Sequence, residues 1–116
     1  MSDRSLVALA AFLGGTAVAA GALAAHGIAD PAAARLVETA ARYQMWHALA
    51  ILALTALPLR AASACRGFVL GVILFSGSLY GLALGMPRWL GWLTPLGGLV
   101  LIGAWALAAI AAWRRA

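Results

Sequence analysis

Seven side chains hold most of the chemical interest of this 116-residue chain: His26, Gln44, His47, Ser76, Ser78, Tyr80 and Thr94, each within or at the end of an otherwise apolar stretch. An ionisable group in such a stretch is costly and is by default a functional candidate. The two imidazoles could relay a proton or gate a polar path, and Gln44 stands three residues before His47 on the same helical face. Ser76 and Tyr80 share a side at four-residue spacing, and Thr94 opens the last apolar run beside Pro95. Enzymatic chemistry would need more than this set. No Asp or Glu lies in an apolar run to orient a histidine, and two histidines without Cys or carboxylate partners make an incomplete zinc site. Cys65 is the only cysteine, so it forms no intramolecular disulfide and belongs to no metal-ligand pattern. The expectation is a non-enzymatic protein without metal or cofactor.

Each of these residues also has a purely structural use. His26 precedes Gly27 and can close a helix C-terminus, where imidazole meets the favourable end of the helix dipole. Gln44 and His47 can hydrogen-bond across helices, and Ser76 and Ser78 can bond carbonyls three or four residues back on their own helix. Together they form a layer richer in polar groups than packing alone requires. His47, Gln44, Ser76 and Tyr80 are expected to converge on one space. Desolvation there leaves the His47 imidazole neutral, able both to donate and to accept.

The elements that position this layer follow from where the charges lie. Asp, Glu and Arg fall in gaps or at edges around apolar runs at about 5–25, 43–59, 67–86 and 90–113. As helices such runs span roughly 24–36 Å, against a hydrocarbon core of roughly 30 Å. With 66% hydrophobic and 9% charged residues there is too little polar surface for a soluble globule. The fold class is all-α, an integral membrane four-helix bundle forming a single domain over 1–116. That leaves no room for a soluble catalytic domain. The net charge of +5 comes from arginine alone and sits at the span edges, with no basic face for nucleic acid; the bilayer is the partner. The first run is longer than a signal-peptide apolar core and its flank is not strongly basic, so it reads as a retained span. Arg4, Arg60, Arg66, Arg114 and Arg115 fall on one side and Arg35, Arg42 and Arg88 on the other, which places both termini in the cytoplasm.

Asp30-Pro31 reads as a helix start, and Arg35, Glu38 and Arg42 share one face behind it. This predicts a short interfacial helix over about 31–42 between the first two spans; the alternative is one long helix from Pro31 to Leu57. Trp89, Trp92 and Trp113 sit at interfacial levels. Gly77, Gly81 and Gly85 recur every four residues, with Gly67 and Gly71 before them and Gly14, Gly21, Gly97, Gly98 and Gly103 on other runs. Small residues so spaced let helix backbones approach closely, inside one bundle or between copies through the Gly77–Gly85 face. Gly77 and Gly81 are expected at a close helix contact, with Gly85 more tolerant of substitution.

Four motifs resemble one family over nearly the whole chain: GALAAHG at 21–27, YQMWHAL at 43–49, FSGSLY at 75–80 and TPLGG at 94–98. This is domain-of-unknown-function family 423, the YgdD/YwdK-like small bacterial inner-membrane proteins, with a eukaryotic branch called transmembrane protein 256. The resemblance implies a four-helix protein of the bacterial cytoplasmic membrane and no particular activity. Two readings remain open: a lipid-, ligand- or partner-binding bundle or accessory subunit, and a small-solute or proton transporter or channel acting as an oligomer. Against transport, four short spans enclose little pore, and no inverted repeat or pair of broken helices is evident.

Overall fold

Ser2 accepts a hydrogen bond from the Ser5 amide and starts α1, Asp3–His26, in the computed structural model, which describes residues 2–115 and side chains up to Arg114. Gly27 closes α1 through its amide on the Leu23 carbonyl, and after a three-residue link Asp30 caps the next helix with Pro31 in its first turn. That helix, α2, runs unbroken from Pro31 to Ala56. Residues 31–42 are therefore its first three turns and not a separate interfacial helix. No glycine or proline interrupts the sequence between Pro31 and Pro58, so nothing breaks the hydrogen-bond ladder at Tyr43. Pro58 forces Leu57 into extended backbone and stops it. Next come α3, Ala62–Ala83, a five-residue 3-10 turn at Arg88–Trp92, and α4, Leu93–Arg115.

Each helix packs chiefly against its neighbours in sequence, so α2 and α3 form the middle of an up-and-down array about 49 Å long. Leu6 and Ala10 of α1, Ile51 of α2, Phe68 and Val72 of α3 and Leu101 and Ala104 of α4 meet in one apolar core toward the end that carries the N-terminus. The polar side chains gather toward the other end. Many large apolar side chains, among them Phe12, Val18, Ile73, Leu99 and Ile102, point outward, as a lipid-facing surface requires. α1, α3 and the 88–114 segment are each long and apolar enough to cross a membrane. α2 is as long, but Arg42, Gln44 and His47 lower its hydropathy; of these, Gln44 and His47 are buried inside the protein. Trp89 and Trp92 are exposed at one end and Trp113 at the other.

The glycines divide by role in a way that spacing alone does not show. Gly77 is exposed, with open space where a side chain would go. Gly81 is buried, but by Met86 and Leu90 of the following turn and not by another long helix. Gly85 has φ +86°, and the Met86 amide bonds the Gly81 carbonyl (3.0 Å) while the Gly85 amide bonds the Leu82 carbonyl (3.1 Å). That pattern is a Schellman turn, for which glycine is the favoured residue. The expected stripe is thus an open position, a capped position and a turn. The close approach is made elsewhere. A Cβ on Gly97 would lie 2.8 Å from the Phe75 Cα and 2.9 Å from the Leu74 carbonyl carbon, so α4 touches the α3 backbone there. Gly67 and Gly71 receive Ala104 and Leu101 further along the same seam. Gly98 is roomier, its nearest neighbour being a ring carbon of Phe75 at 3.9 Å, and Gly21 and Gly103 are open.

These placements order the substitutions. Gly97→Leu should cost on the order of 1–3 kcal/mol, because helix backbones and not flexible side chains must move. Gly85→Ala should cost about 1–2 kcal/mol from its left-handed backbone, despite open space around it. Gly77→Leu should match the parent. A thermal melt in mild detergent checks the series, and a Gly77 variant that melts lowest would contradict it.

Candidate functional site: a divided polar layer

α2 turns Gln44 toward α1 and α3, and its amide is used on both sides. Nε2 donates to the Leu13 carbonyl (2.7 Å) and the Thr16 hydroxyl (2.8 Å) on α1, while Oε1 accepts from the Tyr80 hydroxyl (2.8 Å) on α3. The Thr16 hydroxyl spends its own proton on the carbonyls of its preceding turn, which leaves its lone pairs for Gln44. One side chain therefore ties three helices. Gly14 sits beside this contact, with the Met45 sulfur 3.9 Å from where a Cβ would be, an ordinary van der Waals distance.

His47, one turn further along α2, reaches a different neighbour. Its Nε2 accepts from the Trp105 indole N–H (3.1 Å) on α4, and its Nδ1 lies 2.6 Å from the Tyr43 carbonyl. An indole only donates and a carbonyl only accepts, so the imidazole is neutral with its proton on Nδ1. Aromatic rings surround it: Phe68 at 5.3 Å, Trp105 at 5.9 Å and Tyr43 at 6.2 Å, centroid to centroid. Ser76 donates to the Ala40 carbonyl of α2 (2.7 Å), and Ser78 bonds both the Phe75 carbonyl (2.8 Å) and the Thr94 hydroxyl (2.6 Å). Among the described residues no buried side-chain nitrogen or oxygen lacks a partner.

The expected layer is thus divided into four links. Gln44 and Tyr80 meet directly; His47 turns to α4 instead, Ser76 engages the α2 backbone, and Ser78 and Thr94 join α3 to α4. His26 stands apart, exposed at the end of α1. Two participants, Thr16 and Trp105, were not singled out from the sequence. A tryptophan N–H at the depth of an apolar run must find an acceptor, and that demand was readable; its partner was not. Among the described residues no group of three metal-ligating side chains forms.

Beside His47 lies an open groove of about 490 Å³ between α2 and α4, floored by α3. Tyr43 and Trp46 form one wall, Phe75 the floor, and Gly98, Ile102 and Trp105 the other wall. Its lining is almost wholly apolar and aromatic, and Gly98 leaves the space that a side chain would occupy.

The Gln44 node predicts a specific coupling. Gln44→Leu strands the Tyr80 hydroxyl, and Tyr80→Phe strands the Gln44 carbonyl oxygen, each costing about 0.6–1.7 kcal/mol. The double variant should lose less than the sum, since both partners are then apolar. Melts of the four proteins in mild detergent measure this; strict additivity would mean that the two side chains do not interact.

The family comparisons agree with this architecture. A family model described as "Protein of unknown function (DUF423)" matches residues 20–98, a stretch that holds Gln44, His47, Ser76, Ser78, Tyr80 and Thr94 but not Thr16 or Trp105. A UPF0382 membrane protein of Haemophilus influenzae is 38% identical over 108 residues, covering 87% of this chain and 85% of its own. The UPF0382 inner membrane protein YgdD of Escherichia coli K12 is 37% identical over 122 residues, covering 98% and 93%. A UPF0382 membrane protein of Schizosaccharomyces pombe is 38% identical over 109 residues, covering 84% and 92%. No solved structure matches. A helical chain whose apolar exterior and internally bonded polar groups suit a bilayer, and whose relatives along nearly their full length are membrane proteins, belongs to the DUF423 family of membrane proteins of unknown function.

Proposed function

We propose that the protein is a non-enzymatic four-span bundle of the bacterial cytoplasmic membrane that seats a lipid acyl chain in the aromatic groove between α2 and α4. The observation that carries this reading is the groove itself: about 490 Å³ open on the flank of the bundle, walled by aromatic rings and relieved by Gly98. At membrane depth such a space is filled by hydrocarbon, and rigid rings bind it at small entropic cost. The hydrogen bonding of the polar layer supports the same reading from the other side. Gln44, His47, Ser76, Ser78 and Tyr80 already bond other helices, so they hold the walls rather than present themselves to a polar substrate. A proton relay from His26 to His47 gains no support, because His26 is exposed at the end of α1 while His47 is enclosed by rings with both nitrogens engaged.

In this arrangement α2 also crosses the bilayer. Its length of 26 residues suffices, and the residues that lower its hydropathy below that of a free span include Gln44 and His47, which are 5% and 4% exposed and bonded internally. Arg42 pairs with Glu38 one turn nearer the membrane surface. The arginine bias favours both termini in the cytoplasm; Arg115, one of the inner arginines in that count, has a side chain outside the described set.

Two measurements test these points. Phospholipid carrying a photoactivatable diazirine in its acyl chain should label the groove walls, Tyr43, Trp46 and Ile102, in preference to the exposed Ile73 and Leu99, and Gly98→Leu should remove that preference. Uniform labelling of all outward residues would end the acyl-chain reading. For topology, a reporter active only outside the cytoplasm should stay silent when fused after Ala116 and give signal when inserted near Ala33. The reverse pattern would turn the bundle over.

A further inference from the structure

We propose that the cleft between Arg60 and Arg114, at the end of the α3–α4 seam, binds the phosphate of an anionic phospholipid. The proposal rests on the membrane arrangement above but not on the acyl-chain groove, which lies against α2. Arg60 projects from the link that follows Pro58, Ser63 lies in the first turn of α3, and Arg114 lies in the last turn of α4. They border one opening of about 360 Å³ whose remaining walls include Leu107 and Ile110. The Ala61–Ala64–Ala108 cluster, built from small side chains, packs beside it and holds the two helix ends together.

Among the described residues no acidic side chain lines this cleft. Among the described residues the sole ion pair is Arg42 with Glu38, near the opposite end of the protein. Asp3, the one acid at the Arg60 end, lines a neighbouring cleft with Thr55 and Cys65 instead. Two guanidinium groups facing one space repel each other unless an anion lies between them, and each offers a planar fork that fits phosphate oxygens. Ser63 adds a hydroxyl donor.

The apolar walls decide the source of the phosphate. Leu107 and Ile110 are 44% and 45% exposed and lead from the arginines toward the middle of α4. A soluble phosphate makes no use of them, whereas a phospholipid lays its first methylenes there while its headgroup stays at the arginines. Under the proposed topology this end meets the cytoplasmic leaflet, where anionic lipids attract arginine.

The test uses the full chain in mild detergent with phosphatidylglycerol as the probe and phosphatidylcholine as its control, read by native mass spectrometry. The parent should retain phosphatidylglycerol in preference, and Arg60→Gln/Arg114→Gln should weaken that retention by about tenfold or more. Arg4→Gln/Arg66→Gln removes the same charge at the same end and should leave retention unchanged; an equal loss there means diffuse attraction and overturns the site. Inorganic phosphate that displaces the lipid at millimolar concentration, or raises the melting temperature as much, overturns the lipid source. Gly98→Leu fills only the other groove, so whatever total lipid it removes, the preference for phosphatidylglycerol over phosphatidylcholine should persist; if that preference is lost, the anionic lipid sits in that groove and this proposal fails. Should the double variant not fold, the exposed Arg114→Gln alone must reduce the preference, and a parent with no preference ends the proposal without any variant.

Discussion

In a bilayer a buried amide has no water to fall back on, and the bonds made by Gln44 answer that constraint. Its side chain presents two N–H donors and one strong acceptor, and each is met by a different partner on α1 or α3. Because the amide must be satisfied inside the protein, α2 cannot rotate or slide without stranding it. The orientation of α2 then dictates the rest. With Gln44 toward α1 and α3, His47 one turn on points to α4, where Trp105 supplies the proton its Nε2 accepts. The Ala40 carbonyl, one turn back, meets Ser76. Three consecutive turns of one helix are thereby bonded to the three others.

Apolar packing completes what the hydrogen bonds orient. Lipid offers no hydrophobic contrast between helices, so cohesion depends on close contact and dispersion. The buried alanines, Ala10, Ala40, Ala41, Ala48, Ala104 and Ala108, together with Gly67, Gly71 and Gly97, let backbones come near. The seam between α3 and α4 is the tightest, with Gly97 directly on the Phe75 backbone. Where α2 and α4 diverge around α3, aromatic rings line the gap instead of closing it. The groove is thus a consequence of an array in which neighbours in sequence pack together and α2 meets α4 through the His47–Trp105 hydrogen bond.

The two ends of the protein have different chemistry for the same reason. Toward the chain termini the interior is apolar, built around Leu6, Ile51, Phe68 and Leu101, and the polar groups lie outside it as arginines. Toward the other end the interior holds the hydrogen-bonded links, and the surface carries the Arg42–Glu38 pair and the exposed rings of Trp89 and Trp92. Polar groups inside give direction to the helix pairing, and polar groups outside give attachment to headgroups. The Gln44 node is of the first kind, and the arginines at the helix ends are polar groups of the outer surface.

Much of this was legible in the residues alone. Apolar runs between arginines marked helices of membrane-spanning length, Asp30-Pro31 marked the start of α2, and Gln44 and Tyr80 stood out as polar groups needing partners at similar depth. Such features are one-dimensional: run length, cap chemistry and position along a span. What the sequence left open were matters of rotation and neighbour. Spacing says that Gly77, Gly81 and Gly85 share a face, yet only the turn at Gly85 and the crossing of α4 at Gly97 decide which glycines touch a backbone. Spacing also puts Gln44 and His47 on one side of α2, three residues apart. An angular separation of about 60° on a helix is enough for two long side chains to reach different neighbours. That choice, and with it the divided layer and the groove beside it, belongs to the tertiary structure, because a helix sequence specifies the angle between its side chains but not which helices will stand there to meet them.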